Sequence, residues 1–384
     1  MELGKIKNNL IAIGNDERVF TDPLLRKKAL DYGGAFDSAH IICRSSLPEQ
    51  KIEKDGVVTF YPVHSRLAFI FPFKVWLLGR KIISRHAGVW LTISDNPFEI
   101  GLVSWLLAKK SCGKFFLQIH TDFMSPYFRR SSWKERVRYY IARFVVPRAD
   151  CIRAVSERIR ESLLQTTSPK LKAKIKVVPI VTEVEKFFGA VTNPQTDARF
   201  KNYEFKMVAV GRFVDKEKNF GMLVEVMWDF IKICPRAILV LVGDGSDKNN
   251  YKEKIKNQGL EKHVILEGWR NDLPAFLKSF DLFLLSSNYE GWGRVAIEAM
   301  ASGLPVIMTD VGLARDVVKN GENGLVIPVG DRKKMTEAVV NLYKNADERK
   351  RLASRGLETV KKIGVKTEDE YFKAYKNLLV NCRQ

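Results

Sequence analysis

Leu282-Phe283-Leu284-Leu285-Ser286-Ser287-Asn288-Tyr289-Glu290-Gly291-Trp292-Gly293-Arg294-Val295-Ala296-Ile297-Glu298-Ala299-Met300 decides how this chain is read. An apolar, strand-like run leads into a glycine-bearing turn and then a segment of helical spacing, followed by Ala301-Ser302-Gly303-Leu304-Pro305-Val306. Two carboxylates, Glu290 and Glu298, bracket the turn. With a helix over about 293–302, Glu298 lies about 12 Å along the axis from Glu290, at about 1.5 Å per residue. That is the scale of a nucleotide diphosphate sugar. A carboxylate accepts two hydrogen bonds at once and suits a pair of vicinal hydroxyls. Gly291 and Gly293, opening a helix, leave bare N–H groups that a phosphate approaches closely. Val295, Ala296, Ile297, Ala299 and Met300 cover nearly every face of that helix. Glu298 is therefore expected to be buried and to need a partner; the alternative is a solvated helix face.

Outward from this stretch, the second half alternates strands and helices. Apolar runs stand at Phe205–Val210, Ala237–Val242, Val264–Leu266, Asp281–Leu285, Leu304–Met308 and Leu325–Ile327. The first half is looser, with Leu10–Ile13, Ser38–Cys43, Val57–Tyr61, Val89–Ile93, Phe115–Ile119, Asp150–Ala154 and Lys176–Val178. Such alternation predicts α/β architecture with parallel sheets covered by helices. Periodicity breaks near Thr192-Asn193-Pro194-Gln195-Thr196-Asp197, so residues 183–203 are expected to link two Rossmann-like domains. These are 1–182, completed by a C-terminal helix over 368–384, and 204–367. Ligands of open parallel sheets lie beyond the strands' C-terminal ends, so the two sheets are expected to face a cleft between the domains.

The run Phe205–Val210 ends in Gly211-Arg212, and Lys218-Asn219-Phe220-Gly221 follows as an expected helix start. A cation at a helix N-terminus opposes the dipole and makes sense beside a bound anion. Arg212 offers a planar fork to phosphate oxygens and Lys218 a point charge. The alternative is two solvated cations in a lysine-rich loop.

Glu290 and Glu298 with seven residues between them, Gly211-Arg212 with Lys218-Asn219, Leu241-Val242-Gly243-Asp244-Gly245, Glu267-Gly268-Trp269, Asn320-Gly321-Glu322-Asn323-Gly324-Leu325 and Ala149-Asp150 with Val155-Ser156-Glu157 together resemble the retaining glycosyltransferases of family 4, which have the GT-B fold. The resemblance is strongest over 205–332. It implies transfer of a hexosyl group, with retention, from a UDP- or GDP-linked sugar to a carbohydrate or lipid-linked acceptor, in cell-surface polysaccharide or glycolipid synthesis. It implies catalytic roles for Glu290, His120, Arg212 and Lys218. It implies a donor site of Gly211, Arg212, Lys218, Gly243, Trp269, Arg270, Glu290, Gly291, Trp292, Gly293, Arg294 and Glu298, with Arg294 as an added phosphate contact. No separate cofactor and no metal are expected; the chain has no Asp-x-Asp. Gly14-Asn15-Asp16-Glu17-Arg18 stands where family members carry a Gly-Gly loop, and Pro179-Ile180-Val181-Thr182 departs from the family's hinge pattern.

Five widely spaced cysteines without a CxxC pair argue against a zinc site or disulfide framework and for a reducing compartment. With no leader and no long apolar run, a cytoplasmic protein is expected. The formal net charge is +20, with +14 on residues 1–200 and +12 within 101–180. Such a field favours an anionic partner. Residues from Phe73 onward and the stretch Arg129–Arg148 are basic and aromatic, which suits the inner face of an anionic membrane. The other reading is core aromatics plus solubilising cations. No helix-turn-helix, zinc knuckle or RRM pattern supports nucleic acid. Gly291-x-Gly293-x-x-Ala296 also fits a dinucleotide fingerprint and keeps an NAD(P)-type oxidoreductase as a rival, although five residues separate it from its strand. A same-fold sugar-nucleotide epimerase is the other rival.

Overall fold

The computed structural model describes residues 7–67, 69–166, 169–363 and 368–383. The chain divides into two compact units, 1–179 with 368–384, and 180–367.

The first unit opens with β1 (Asn8–Gly14), α1 (Pro23–Gly33), β2 (Ser38–Ser45), β3 (Glu53–Asp55), β4 (Val58–His64), α2 (Ile70–Arg85) and β5 (Val89–Ser94). It continues through α3 (Glu99–Lys110), β6 (Lys114–Ile119), α4 (Pro126–Ser131), α5 (Trp133–Val145), β7 (Cys151–Ala154), α6 (Glu157–Thr166) and β8 (Ile175–Val177). The strands form one sheet in the order β3-β4-β2-β1-β5-β6-β7-β8. All pairs are parallel except β3 with β4. Strand β3 is not among the expected strands. Glu53-Lys54-Asp55 has no apolar alternation, and charge suits an edge strand that must not pair further.

The second unit holds α7 (Glu185–Phe188), α8 (Pro194–Phe200), β9 (Phe205–Val210), α9 (Asp215–Lys218), α10 (Phe220–Phe230), β10 (Ala237–Val242), α11 (Lys248–Asn257), β11 (Val264–Glu267) and α12 (Leu273–Leu277). Then come β12 (Leu282–Leu285), α13 (Arg294–Ala301), β13 (Val306–Thr309), β14 (Leu325–Ile327), α14 (Arg332–Lys344) and α15 (Ala346–Ile363). Its sheet is all parallel in the order β11-β10-β9-β12-β13-β14. Renumbered from β9, this is the 3-2-1-4-5-6 order of doubly wound nucleotide-binding sheets. Every residue of β10, Ala-Ile-Leu-Val-Leu-Val, is buried, as a strand covered on both faces requires. Residues 183–203, expected as a linker, carry α7 and α8 and group with this unit. Asn193 caps α8 and Phe187 and Phe200 are buried. The Asn-Pro break is thus a helix start with Pro at its first turn.

The last helix, α16 (Glu368–Arg383), belongs to the first unit. Tyr375, Leu379 and Cys382 join a core with Leu91, Ile93 and Phe116 on one face of the sheet, while Trp90, Ile100 and Leu107 pack on the other. Cys151 on β7 and Cys382 on α16 form a disulfide across 231 residues, with Cα atoms 5.8 Å apart. This corrects the expectation of unpaired cysteines and removes the compartment argument built on it. Spacing along the chain carries no sign of a pairing made by a returning helix. Reductant is expected to lower the stability of the wild-type chain by about 2–4 kcal/mol, read by thermal unfolding, and to leave Cys151→Ser unchanged. Among the described residues no helix is long and apolar enough to cross a membrane.

Candidate active site

In the second sheet the strand order reverses between β9 and β12, which pair directly through Met207 with Leu282 and Val208 with Phe283. The loops leaving their C-terminal ends, 211–219 and 286–293, are therefore neighbours, and this switch point is where such sheets bind ligands. Asn288 ties the loops together. Its N–H donates to the Glu217 carbonyl at 2.8 Å and its amide nitrogen to the Lys216 carbonyl at 3.2 Å. The Ser286 hydroxyl donates to the Lys218 carbonyl at 2.7 Å.

Lys218 ends α9 rather than starting a helix. Asn219 adopts a left-handed φ of 50°, and α10 begins at Phe220. The expected conflict with a helix dipole is absent, because a cation at the end of a helical turn is favoured. The Lys218 ammonium instead forms an ion pair with Glu290, and the Ser287 hydroxyl donates to the same Glu290 oxygen at 2.8 Å. Both partners of the pair are largely buried. A carboxylate so held is preoriented, and the cation beside it is available to phosphate oxygens. Arg212 sits two residues beyond β9, largely exposed, and donates to Glu217 at 2.8 Å. Glu217 and Ser287 are not among the expected site residues. The polar run Ser286-Ser287-Asn288 directly after an apolar strand is the signal that was there to find Ser287.

Helix α13 starts at Arg294, capped by Gly293 at φ 86°. The stretch 286–293 is loop, so axial helix spacing does not describe the separation of Glu290 from Glu298. Glu298 is 7% exposed. Arg294 reaches forward one turn along α13, its Nε 3.3 Å from Glu298 Oε1. Burial raises the Glu298 pKa and Arg294 partly counters this. Arg294, expected to contact phosphate, thus has a carboxylate partner in this structure. Trp292 is buried, and its indole nitrogen has no hydrogen-bond partner.

Gly211 and Gly243 meet at the ends of β9 and β10, where the Gly211 N–H donates to the Val242 carbonyl at 2.9 Å. Gly243 has φ 142°, and a Cβ there would stand 2.0 Å from the Gly211 carbonyl oxygen. Beyond β11, Trp269 is exposed. Arg270 is held by Asp272 and Glu267, with nitrogens 2.7 Å from Asp272 Oδ2 and 2.9 Å from Glu267 Oε1. It stacks 4.2 Å over the Phe276 ring. The dinucleotide fingerprint falls after β12, the fourth strand in the renumbered order, whereas such fingerprints occupy the first βα turn. That turn here is Gly211-Arg212-Phe213. Asp310, nineteen residues after Gly291 where such a fingerprint would need an acid for the ribose, is paired with Arg315.

In the first unit His120 follows β6. Burial and the Arg153 charge hold its pKa down at about 3, so the imidazole is neutral at ordinary pH. Arg153 is itself anchored to Gln118 Oε1 at 2.8 Å and to the Val178 carbonyl at 3.0 Å. The sheet's reversal between β1 and β5 places the loops at Asn15 and Asp95 together, the Asn15 N–H donating to Asp95 Oδ2 at 2.8 Å. A cavity of about 270 Å³ opens there, lined by Gly14, Asp16, Asp95, Gln118, Tyr371 and Phe372. Burial pushes Asp95 up to about 6. Asp95 and Gln118 are not among the expected site residues, because no motif marks them. Among the described residues no cluster of three or more His, Cys, Asp or Glu is placed to hold a metal ion.

Solved structures share this fold. The crystal structure of HepE from Anabaena in complex with UDP superposes with a TM-score of 0.69 at 18% identity, over 98% of this chain and 100% of that one. The fold is GT-B, that of two α/β units, the first built on a sheet parallel but for one edge strand and the second on a fully parallel sheet. Residues 194–359 match the family model described as Glycosyl transferases group 1. The lipopolysaccharide core biosynthesis glycosyltransferase LpsE of Rhizobium meliloti (strain 1021) is 32% identical over 175 residues, 46% of this chain and 49% of that protein. The Escherichia coli UDP-Gal:alpha-D-GlcNAc-diphosphoundecaprenol alpha-1,3-galactosyltransferase is 32% identical over 175 residues, 44% of this chain and 45% of that protein. The chain spans about half the length of these two relatives in the matched region.

Proposed function

We propose that this chain is a retaining glycosyltransferase of family 4, moving a hexosyl group from a nucleotide diphosphate sugar to a carbohydrate or lipid-linked acceptor in cell-surface polysaccharide or glycolipid synthesis. The observation that carries this reading is the Lys218–Glu290–Ser287 group at the switch point of the second sheet. A fixed cation and a fixed carboxylate share one spot, which suits a ligand that is anionic at one end and hydroxylated at the other. Arg212 and Lys218 would stabilise charge growing on the departing diphosphate. Glu290 would hold sugar hydroxyls, and Glu298 the ribose. Neutral His120 would hydrogen-bond to the sugar without taking up a proton. The acceptor attacks on the face the diphosphate leaves, and the departing phosphate takes the acceptor's proton. The cavity at Asp16, Asp95 and Tyr371 is the proposed acceptor-sugar site, since aromatic faces with carboxyl groups suit a sugar ring. UDP is the favoured leaving group, because the structural neighbour binds UDP and one relative's name specifies UDP-Gal.

A panel of UDP-, GDP- and ADP-sugars tests the reading. A UDP- or GDP-sugar is expected to raise the melting temperature and to be slowly hydrolysed, releasing nucleoside diphosphate and free sugar. Conversion of the donor to an epimer would reassign the site to an epimerase. No thermal shift with any donor at millimolar concentration would sink the proposal.

A further inference from the structure

Helix α5 carries two apolar stripes. The inner one, Tyr139, Ala142 and Val145, is buried. The outer one, Trp133, Val137, Tyr140 and Phe144, recurs at spacings of four, three and four residues and so shares one face. It stands in solvent, with Trp133 79% and Tyr140 60% exposed. Ser132 caps the helix through the Glu135 N–H at 3.2 Å, so the stripe is presented by a regular helix. Helix α2 does the same with Phe69 at its cap, 76% exposed, and Phe73, 59% exposed, followed one turn later by Leu77. Both helices pack on α3. Between them lies a groove of about 700 Å³ to which Phe69, Pro72, Trp133, Val137 and Ile141 contribute, with Arg44 and Lys134 at its edge. The two exposed stripes therefore belong to one apolar surface. Folding alone leaves no reason for five aromatic side chains to stand outward there.

The surroundings of this surface are cationic. Lys134, Arg136 and Arg143 on α5 and Arg80, Lys81 and Arg85 on α2 are exposed. Residues 66–148 carry 15 Lys and Arg against 4 Asp and Glu. Trp133 and Tyr140, apolar in the body and polar at the tip, stand with the wholly apolar Phe69 and Phe73 among cations, which matches the headgroup level of an anionic bilayer.

We propose that the α2–α5 face of the first unit docks on an anionic lipid bilayer, seating Phe69, Phe73, Trp133 and Tyr140 at headgroup depth while the flanking Lys and Arg pair with lipid phosphates. A nucleic acid would engage the cations but has no use for an outward stripe of Val137 and Phe144. The proposal is independent of the transferase reading, because it concerns neither the switch-point loops nor the donor.

The test is flotation of the full chain with vesicles of phosphatidylcholine containing about 30 mol% phosphatidylglycerol, against phosphatidylcholine alone. The expected result is flotation with the anionic vesicles only, weakened by salt. Phe73→Ser with Trp133→Ser should reduce the bound fraction by at least about tenfold while the melting temperature and donor hydrolysis in solution stay at wild-type values. No flotation at low salt overturns the proposal. So does flotation that the double variant leaves unchanged, or tight binding of duplex DNA without any binding to vesicles. Loss of flotation together with a collapsed melting temperature is resolved by Arg136→Glu with Arg143→Glu. These exposed substitutions must weaken flotation without lowering the melting temperature, or the proposal fails.

Discussion

Glu290→Gln is expected to lower kcat/KM for sugar transfer by at least about a hundredfold, some 2.7 kcal/mol of transition-state stabilisation. The substitution keeps the side chain's shape and leaves an oxygen for the Ser287 hydroxyl, which now donates to Glu290 at 2.8 Å. What it removes is the charge that faces Lys218. The ammonium, 16% exposed, then keeps its desolvation cost without its counter-charge. Loss of stability is expected to be limited, because Lys218 also ends a helical turn and lies beside the solvent-reachable 211–219 loop. Lys218→Ala is expected to lose activity to a similar degree. The double variant should lose little more than either, since groups acting as a unit are not additive. Steady-state kinetics and thermal unfolding of the three variants check this. Turnover of Glu290→Gln near that of the unaltered chain would remove Glu290 from the chemistry.

Gly243→Ala is expected to destabilise the second unit by about 3 kcal/mol or more, which lowers its melting temperature by about 6–12 °C. The new Cβ would meet the Gly211 carbonyl oxygen at 2.0 Å from a backbone already at φ 142°. Neither side can yield cheaply. The Gly211 N–H is bound to the Val242 carbonyl at 2.9 Å, and the Gly243 N–H to the Glu267 carbonyl at 3.1 Å. Relief must come from moving the turn that carries Arg212, so weaker binding of UDP should accompany the lower melting temperature. Gly303→Ala is the control. Its φ is 80° but nothing lies within 4 Å of its added Cβ, so only the left-handed backbone is penalised, by about 1–2 kcal/mol. Equal melting temperatures for the two variants would show that the close approach at Gly243 is not what constrains that turn.

Much of the fold is legible in the residues. The run Phe205–Val210 coincides with β9 and Ala237–Val242 with β10, because strands buried on both faces read as unbroken apolar stretches. Helix α13 was legible from Ala296, Ile297, Ala299 and Met300, and burial of Glu298 followed from the same neighbours. Its ends, Gly293 and Ser302 as caps, match the expected span of about 293–302, because a glycine that frees the backbone for a positive φ marks the opening. Lys218 is a miss. It reads as a helix start but ends α9, because Asn219 in the left-handed region separates α9 from α10, and an asparagine at that spot is ambiguous until its φ is known.

Local matters were settled by the sequence alone: which apolar stretches are strands, though not the charged edge strand β3, where glycine permits a turn, and that Glu290 and Glu298 flank one such turn. Neighbourhood was decided by the tertiary structure. Lys218 reaches Glu290 across 72 residues because β9 and β12 hydrogen-bond side by side at the point where the strand order reverses. Cys151 reaches Cys382 across 231 because α16 returns to the first sheet. Periodicity and turn chemistry depend on residues a few positions apart, whereas strand order depends on which apolar faces bury one another, and no short window of sequence contains that choice.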